Sequence, residues 1–110
     1  MGGAGIVLFA SCRVEGVHAL SNGIGVAVAF GCTVVNNNVN INRSIGISAG
    51  DGSRVIGNTV KNNLGVGMAL ADNVGYVHNA VTGNNGGNAN PQVTGGIQMG
   101  GNICGSTLCP

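Results

Sequence analysis

The chain has 110 residues, of which 44% are hydrophobic, 3% aromatic and only 6% charged, and its formal net charge is +1. So few Lys and Arg exclude the basic surface that binds nucleic acid or an anionic membrane. The high hydrophobic content excludes a disordered chain, and the lack of a run of about 18 apolar residues excludes a transmembrane helix. The 22 Gly residues follow no Gly-X-Y period, so they exclude collagen and indicate many tight turns.

A repeat with a period of 21 residues runs from Gly23 to Asn84. Its columns hold aliphatic residues or Asn in all three copies: Ile24, Ile45 and Val66; Val26, Ile47 and Met68; Val35, Ile56 and Val77; Asn37, Asn58 and Asn79; Val39, Val60 and Val81; Asn42, Asn63 and Asn84. A fixed period of this length is typical of a solenoid, in which each repeat forms one coil.

Within one copy, aliphatic and small residues alternate over residues 24–29, which indicates a short strand with one buried face. Two further short strands follow around residues 33–35 and 39–41, with a bend at Asn37 between them. Because Asn tolerates left-handed backbone and its amide can bond to the coils on either side, we expect an Asn ladder. The pattern predicts an all-β fold, a right-handed parallel β-helix of about five short coils.

The chain is predicted to be a single domain over residues 1–110. The predicted segments are coils at about residues 3–22, 23–44, 45–65 and 66–87, a loop at 85–96 and a partial last coil at 97–110. In the last coil, Ile97 and Met99 are aligned with Val66 and Met68. The first 12 residues have the look of a short signal segment but lack its basic start. We interpret them as the first coil, because Gly5 and Val7 precede Val26 and Val28 by one period, and the cellular location is left open.

The aliphatic stacks and the Asn column at the second turn of each copy resemble the repeats of the pectin-lyase-like β-helix superfamily. The resemblance covers about residues 3–84 and implies the fold. It implies no single activity, because that superfamily contains lyases, hydrolases, epimerases, adhesins and phage tailspikes. By analogy it would suggest an extracellular protein and a polysaccharide ligand.

The outward side of the first strand is predicted to be flat, small and uncharged. It comprises Gly25, Ala27, Ala29, Gly46, Ser48, Gly67 and Ala69. The enzymes that the repeat resembles carry charged residues there, and sugar sites use aromatic rings, whereas this chain has one Tyr and no Trp. A flat apolar sheet face is suited to packing against another sheet. The sequence therefore predicts a homo-oligomer, formed through this face or through the open ends of the coils, and no evident catalytic site.

Asp51 and Asp72 support an alternative function, because they lie one period apart. Two carboxylates on neighbouring coils would raise the pKa of one of them and allow acid–base catalysis. Glycoside hydrolysis uses such pairs at separations of about 5 to 9.5 Å, the lower end of which one coil spacing supplies. The alternative is thus a carbohydrate-active protein, and the competing interpretation is that both Asp are ordinary turn residues beside Gly52 and Asn73.

The remaining chemistry-bearing residues predict no cofactor and no metal site. His18 is aligned with Val39 and is predicted to be a partly buried structural residue. Cys12 and Cys32 lie 20 residues apart on neighbouring coils, where either a disulfide or two stacked free thiols would fit. Cys104 and Cys109 could close a small clip near the end of the chain.

Overall fold

The computed structural model describes residues 5–87 and 91–109. Over these residues the chain is an all-β parallel solenoid of about five turns with a period of about 21 residues, as the repeat predicts. The described residues do not include the predicted limits at residues 3 and 110 or residues 88–90 of the predicted loop.

Each coil contributes three short strands. The first three coils contain β1 (Ile6–Ala10), β2 (Arg13–Glu15), β3 (His18–Leu20), β4 (Val26–Phe30), β5 (Thr33–Val35), β6 (Asn38–Asn40), β7 (Ile47–Ala49), β8 (Arg54–Ile56) and β9 (Thr59–Lys61). The last two contain β10 (Met68–Leu70), β11 (Gly75–Val77), β12 (Ala80–Thr82), the helical turn α1 (Asn84–Gly87), β13 (Val93–Thr94), β14 (Ile97–Gln98), β15 (Ile103–Cys104) and β16 (Thr107–Leu108). Within α1, Asn85 and Gly86 have φ of 58° and 74°, so it is not a regular α-helix.

The strands stack into three sheets, which we number by their order in a coil. The first sheet has the order β1-β4-β7-β10-β13, the second β14-β11-β8-β5-β2 and the third β16-β15-β12-β9-β6-β3. All described strand pairs are parallel except β15–β16, which is antiparallel. Each coil therefore makes its strand pairs only with the coil before it and the coil after it, apart from the hairpin at the end.

The core is a stack of aliphatic side chains contributed by all three sheets. Its columns are Val26, Ile47 and Met68 from the first sheet, Val34, Val55 and Tyr76 from the second, and Val39, Val60 and Val81 from the third. In the second sheet the repeat also contains an aliphatic column at Val35, Ile56 and Val77. The structure turns the neighbouring column toward the core instead, and of this column only Val35 is buried, whereas Ile56 and Val77 are partly exposed. Two consecutive aliphatic residues satisfy a period of two in either register, so the sequence pattern does not choose between them.

An Asn ladder lies at the second turn, as predicted. Asn58 Oδ1 accepts hydrogen bonds from the backbone N and from Nδ2 of Asn37, both at 3.0 Å. Asn58 Nδ2 donates to Asn79 Oδ1 at 3.0 Å and to the carbonyl oxygen of Val34 at 2.9 Å. Because every polar atom of this buried amide has a partner, the ladder satisfies the turn backbone without water.

A second ladder lies at the third turn. Asn42 Nδ2 donates to Asn63 Oδ1 at 2.8 Å, and Asn63 Nδ2 donates to Asn84 Oδ1 at 2.8 Å. Asn84 in turn donates to Gln92 Oε1 at 3.0 Å, so the amide of Gln92 continues the ladder after the irregular segment. The two ladders fix two corners of every interior coil.

The first coil is one residue shorter than the predicted alignment requires. Ile6 pairs with Val26 and Leu8 with Val28, so the predicted alignment of Gly5 and Val7 with these residues is wrong by one position. The error arises because the run Ile6–Ala10 offers an aliphatic residue to the buried column in both registers.

In the observed register three residues of the first coil, Val7, Phe9 and His18, lie at the surface. Val7 and Phe9 face solvent, with 53% and 77% of their surfaces exposed. His18 pairs with Asn38 rather than with Val39 and is exposed, so the prediction of a partly buried histidine is wrong.

The last coil begins earlier than predicted. Val93, not Met99, pairs with Met68, and Ile97 pairs with Gly75 in the second sheet. Ile97 and Met99 are therefore exposed, at 54% and 64%, and their predicted alignment with the first sheet is wrong. The sequence does not reveal this because the length of the irregular segment before β13 cannot be deduced from an interrupted period.

Candidate functional site

The residues that the sequence singles out lie on three surfaces. We call them the first-sheet face, which is the outer side of the first sheet, the second-sheet groove, which lies on the outer side of the second sheet, and the N-terminal end, which is the uncovered edge formed by β1, β2 and β3.

The first-sheet face is narrower than predicted. Ala27, Ala29, Ser48 and Ala69 are partly exposed and face outward, whereas Gly25, Gly46 and Gly67 are buried. A Cβ atom on Gly46 would lie 2.6 Å from both the carbonyl oxygen of Gly67 and Cγ1 of Val60. The three Gly residues were predicted to face solvent; they instead occupy the third turn, just before the first strand starts, where the backbone passes too close to the core for a side chain.

The second-sheet groove has a volume of about 360 Å³. Arg54, Ile56, Val77, Ile97 and Met99 line it together with Gly52, Ser53, Asn73 and Gly75. Gly75 makes room for the side chain of Met99, whose Sδ lies 2.5 Å from where a Cβ of Gly75 would be. The groove is thus mainly apolar, with one guanidinium at its side.

Asp51 and Asp72 lie in consecutive first turns beside this groove, and both are exposed. The backbone N of Gly52 donates to Oδ1 of Asn73 at 3.1 Å, which ties the two turns together. The structure therefore brings the two Asp residues onto neighbouring coils, as the period implies, about 5 Å apart along the solenoid axis. The side chains that line the adjoining groove include no aromatic ring and no carboxylate.

Another groove, distinct from the second-sheet groove, lies at the third turn and has a volume of about 470 Å³. Its lining includes Arg43 and the exposed side chains of Ile41 and Leu64. Ile41 has a φ of 56°, a left-handed conformation that is strained for a β-branched residue. The periodic pattern gave no signal for this groove, because most of its residues lie in the turn beside the aligned Asn42 column.

Tyr76 takes the interior position that Val34 and Val55 hold in earlier coils, and only 4% of its surface is exposed. This burial raises the pKa of the Tyr76 hydroxyl above its ordinary value. Among the described residues, no group of three or more His, Cys, Asp and Glu side chains is close enough to hold a metal ion.

The N-terminal end exposes apolar side chains on both sides of β1. Ile6 and Leu8 point toward the core but are only partly buried, whereas Val26, which follows Ile6 in the stack, is fully buried. No described strand pairs with the outer edge of β1, β2 or β3. An edge strand of this kind is a template for pairing with another chain.

Both pairs of Cys residues form disulfides. Cys12–Cys32 joins the first coil to the second, with Cα atoms 4.5 Å apart. Cys104–Cys109 joins β15 to the residue that follows β16, with Cα atoms 4.7 Å apart. The first bond thus ties the open first coil to the interior, and the second holds the last hairpin closed.

Comparisons of the chain with protein-family models, with curated proteins and with solved structures found no match. In the described part of the chain, no helix has the length and apolar character needed to cross a membrane.

Proposed function

We propose that this chain is a small self-associating β-helix module with a structural or binding role and no catalytic site. The observation that carries the proposal is the first coil, in which β1 leaves side chains uncovered on both faces: Ile6 and Leu8 toward the core, and Val7 and Phe9 toward solvent. Exposed apolar groups that adjoin an unpaired strand edge favour association.

The charge balance supports the same proposal. The chain carries four Lys and Arg and three Asp and Glu residues, so copies of it repel one another very little. A net charge near zero at working pH promotes association. The first-sheet face, with Ala27 and Ser48 near its centre, offers a second flat and uncharged surface.

The proposed family is the pectin-lyase-like superfamily. Three strands per coil, one in each of three parallel sheets, and an Asn ladder at the second turn support this assignment. The proposed role is inferred from the uncharged first-sheet face and not from the fold, because the same fold serves many activities.

Molar mass measured by light scattering on a sizing column tests the proposal. We expect a mass at least twice the 10.7 kDa of one chain. A monomer at every concentration tested would overturn the proposal. The variant Ala27→Arg tests which of the two surfaces is the interface. If it is the first-sheet face, the variant becomes monomeric without unfolding. If it is the N-terminal end, the molar mass of the variant stays that of the wild type.

The second candidate is a carbohydrate-active protein that uses Asp51 and Asp72, and the groove beside both turns favours it. Release of reducing ends from neutral and acidic polysaccharides would test this candidate. If it is correct, Asp51→Asn and Asp72→Asn abolish release, whereas Glu15→Gln, which removes the remaining acid in a different strand, does not. We expect no release from the wild type.

A further inference from the structure

We infer that the second-sheet groove binds a small amphiphilic anion, a carboxylate with an aliphatic chain. Arg54 holds the carboxylate, and the chain lies over Ile56 and Val77. This inference goes beyond the proposed self-association and does not depend on it, because the groove is formed by the outer face of a sheet within one chain.

The groove exists because one outward side chain is missing from the second sheet. Arg54 pairs with Gly75, and Gly75 pairs with Ile97, so these three residues follow one another in one outward column. Gly75 lies within β11 and its φ is not positive, so its backbone does not require glycine. The absence of a side chain there leaves a gap between Arg54 on one coil and Ile97 two coils further on.

The neighbouring outward column forms an apolar strip along the groove. Ile56 pairs with Val77, and the backbone N of Met99 donates to the carbonyl oxygen of Tyr76, which places Met99 on the next coil of the same column. Because successive coils are about 4.8 Å apart, the three aliphatic side chains make a strip about 10 Å long. Ile56 and Val77 are partly exposed and Met99 is 64% exposed, so an aliphatic chain laid along the strip would remove apolar surface from water.

The polar groups of the groove favour an anion. The one ion pair among the described residues is Arg13–Glu15, so the exposed guanidinium of Arg54 has no carboxylate partner within them. Asn73 Oδ1 accepts from the backbone N of Gly52, and Asn73 Nδ2 is available as a second donor. A guanidinium binds a carboxylate through two parallel hydrogen bonds, and an apolar groove with a few polar groups is the usual form of a small-molecule site.

The surroundings select the charge and the body of the ligand. The lining has no aromatic ring on which a sugar could stack. Asp51 and Asp72 are exposed in the adjoining turns without lining the groove, so they would repel a second negative charge. A ligand with a single negative charge and an aliphatic chain therefore fits this site better than a polymer of acidic sugars.

Octanoate is the probe, and the methionine methyl groups report its position. In protein labelled with ¹³C at the methionine methyls, we expect the Met99 signal to shift saturably with octanoate. The Met68 signal should stay in place, because Met68 is fully buried in the core. The substitution Met99→Leu assigns the signal.

Two arginine variants test the role of the charge. Arg54→Gln should raise the Kd for octanoate at least about fivefold, because a partly exposed ion pair contributes up to about 1 kcal/mol. Arg43→Gln is the matched control, since Arg43 is an exposed arginine beside the groove at the third turn, and it should leave the Kd unchanged. Octan-1-ol, which has the same chain without the charge, should bind the wild type more weakly by the same factor and should not distinguish Arg54→Gln from it.

Gly75→Val tests the location, because it supplies the missing side chain. Its Cβ would lie 2.5 Å from Sδ of Met99, the end of a flexible side chain that can move aside. We expect this variant to fold and to lose saturable octanoate binding. If it fails to fold, Ile97→Asp takes its place, since Ile97 is exposed and an acid there would repel the carboxylate and raise the Kd.

Circular dichroism and thermal unfolding verify that each variant is folded. A wild-type Met99 signal that does not shift saturably overturns the site. Equal losses in Arg54→Gln and Arg43→Gln, or equal affinity for octanoate and octan-1-ol, overturn the role of the charge, and a folded Gly75→Val or Ile97→Asp that binds like the wild type overturns the location. A monomer that binds octanoate overturns only self-association, whereas an oligomer that does not bind it overturns only this site.

Discussion

The two ends of the solenoid differ in how their side chains and strand edges are covered. Every coil must cover the side chains and strand edges of its neighbour. The last coil covers the edge of the third sheet by folding β16 back antiparallel on β15, whereas β13 and β14 have no further partner among the described strands. The disulfide Cys104–Cys109 and the hydrogen bond from the backbone N of Cys109 to the carbonyl oxygen of Asn102 fix that cover. The first coil has no such device among the described residues: its disulfide, Cys12–Cys32, points inward to the second coil and stabilises the coil without covering it. A repeat of this kind specifies its interior, and each end needs a separate solution.

The largest expected difference between the open end and the interior is at the glycine column. Gly46→Ala should lower the free energy of unfolding by about 3 kcal/mol, because its Cβ would overlap Gly67 and Val60 in a filled core. Gly5→Ala, at the equivalent position of the first coil, should cost less, about 1 kcal/mol, because its Cβ would also overlap Asn22 and the carbonyl oxygen of Gly25 but Gly5 is exposed and its coil can shift. Urea denaturation measures both, and equally small losses would mean that the glycine column faces outward after all.

The two disulfides should differ according to the length of the loop that each one closes. Cys12→Ser/Cys32→Ser opens a link between residues 20 apart and should cost about 3 kcal/mol, whereas Cys104→Ser/Cys109→Ser opens one between residues 5 apart and should cost about 2 kcal/mol. Thermal unfolding of the two double variants, with the reduced wild type beside them, gives the comparison. A larger loss at the second pair would mean that closure of the last hairpin contributes more than the loop-closure entropy accounts for.

The Asn residues should show a graded effect along the solenoid. Asn58→Ala and Asn102→Ala should each cost about 1–3 kcal/mol, because both amides are buried and their partners would be left unpaired. Asn22→Ala should cost less than about 1 kcal/mol, because Asn22 is only partly buried and water reaches the first coil. Chemical denaturation of the three variants measures this gradient, and a flat result would remove the distinction between open and closed ends.

The smallest expected effect is the change of stability with pH that Tyr76 causes. Tyr76 is the one tyrosine of the chain, and its side chain lies in the interior. Because burial raises its pKa in the folded state, the unfolded chain releases this proton first. Stability should therefore be unaffected at neutral pH and decline as the pH rises above about 10, the ordinary pKa of tyrosine. Phenolate absorbance followed against pH measures the shift, and titration at the ordinary pKa in the folded protein would place Tyr76 in water.

The interior coils could be predicted from the sequence, because Asn37, Asn58 and Asn79 repeat in register with Val39, Val60 and Val81 and only one register buries them all. The end coils could not. At the N-terminal end, apolar residues occupy both faces of β1, so no alternation separates the buried Ile6 column from the exposed Val7 column. At the other end, the irregular segment hides the position at which the period resumes.

The surfaces were harder still to predict. The glycine column was placed outside because small residues often alternate with aliphatic ones on a solvent face, whereas here Gly46 lies in a corner with no room for a Cβ. The grooves depend on side chains such as Arg43, which lies outside the aligned columns, and Met99, whose predicted alignment is wrong. The repeat predicts neither of these positions, although it includes Ile56 and Val77, which also line the second-sheet groove.

Because each interior coil pairs only with the coils on either side, the number of coils in this protein can be changed. Residues 45–65 form one complete period with a member of each Asn ladder, and they pair only with the coils on either side. A duplicated copy of this segment should insert as an extra rung about 4.8 Å thick and raise the stability by one interface, while both ends stay as they are. The solenoid can thus be lengthened one coil at a time by duplicating the gene segment that encodes a coil.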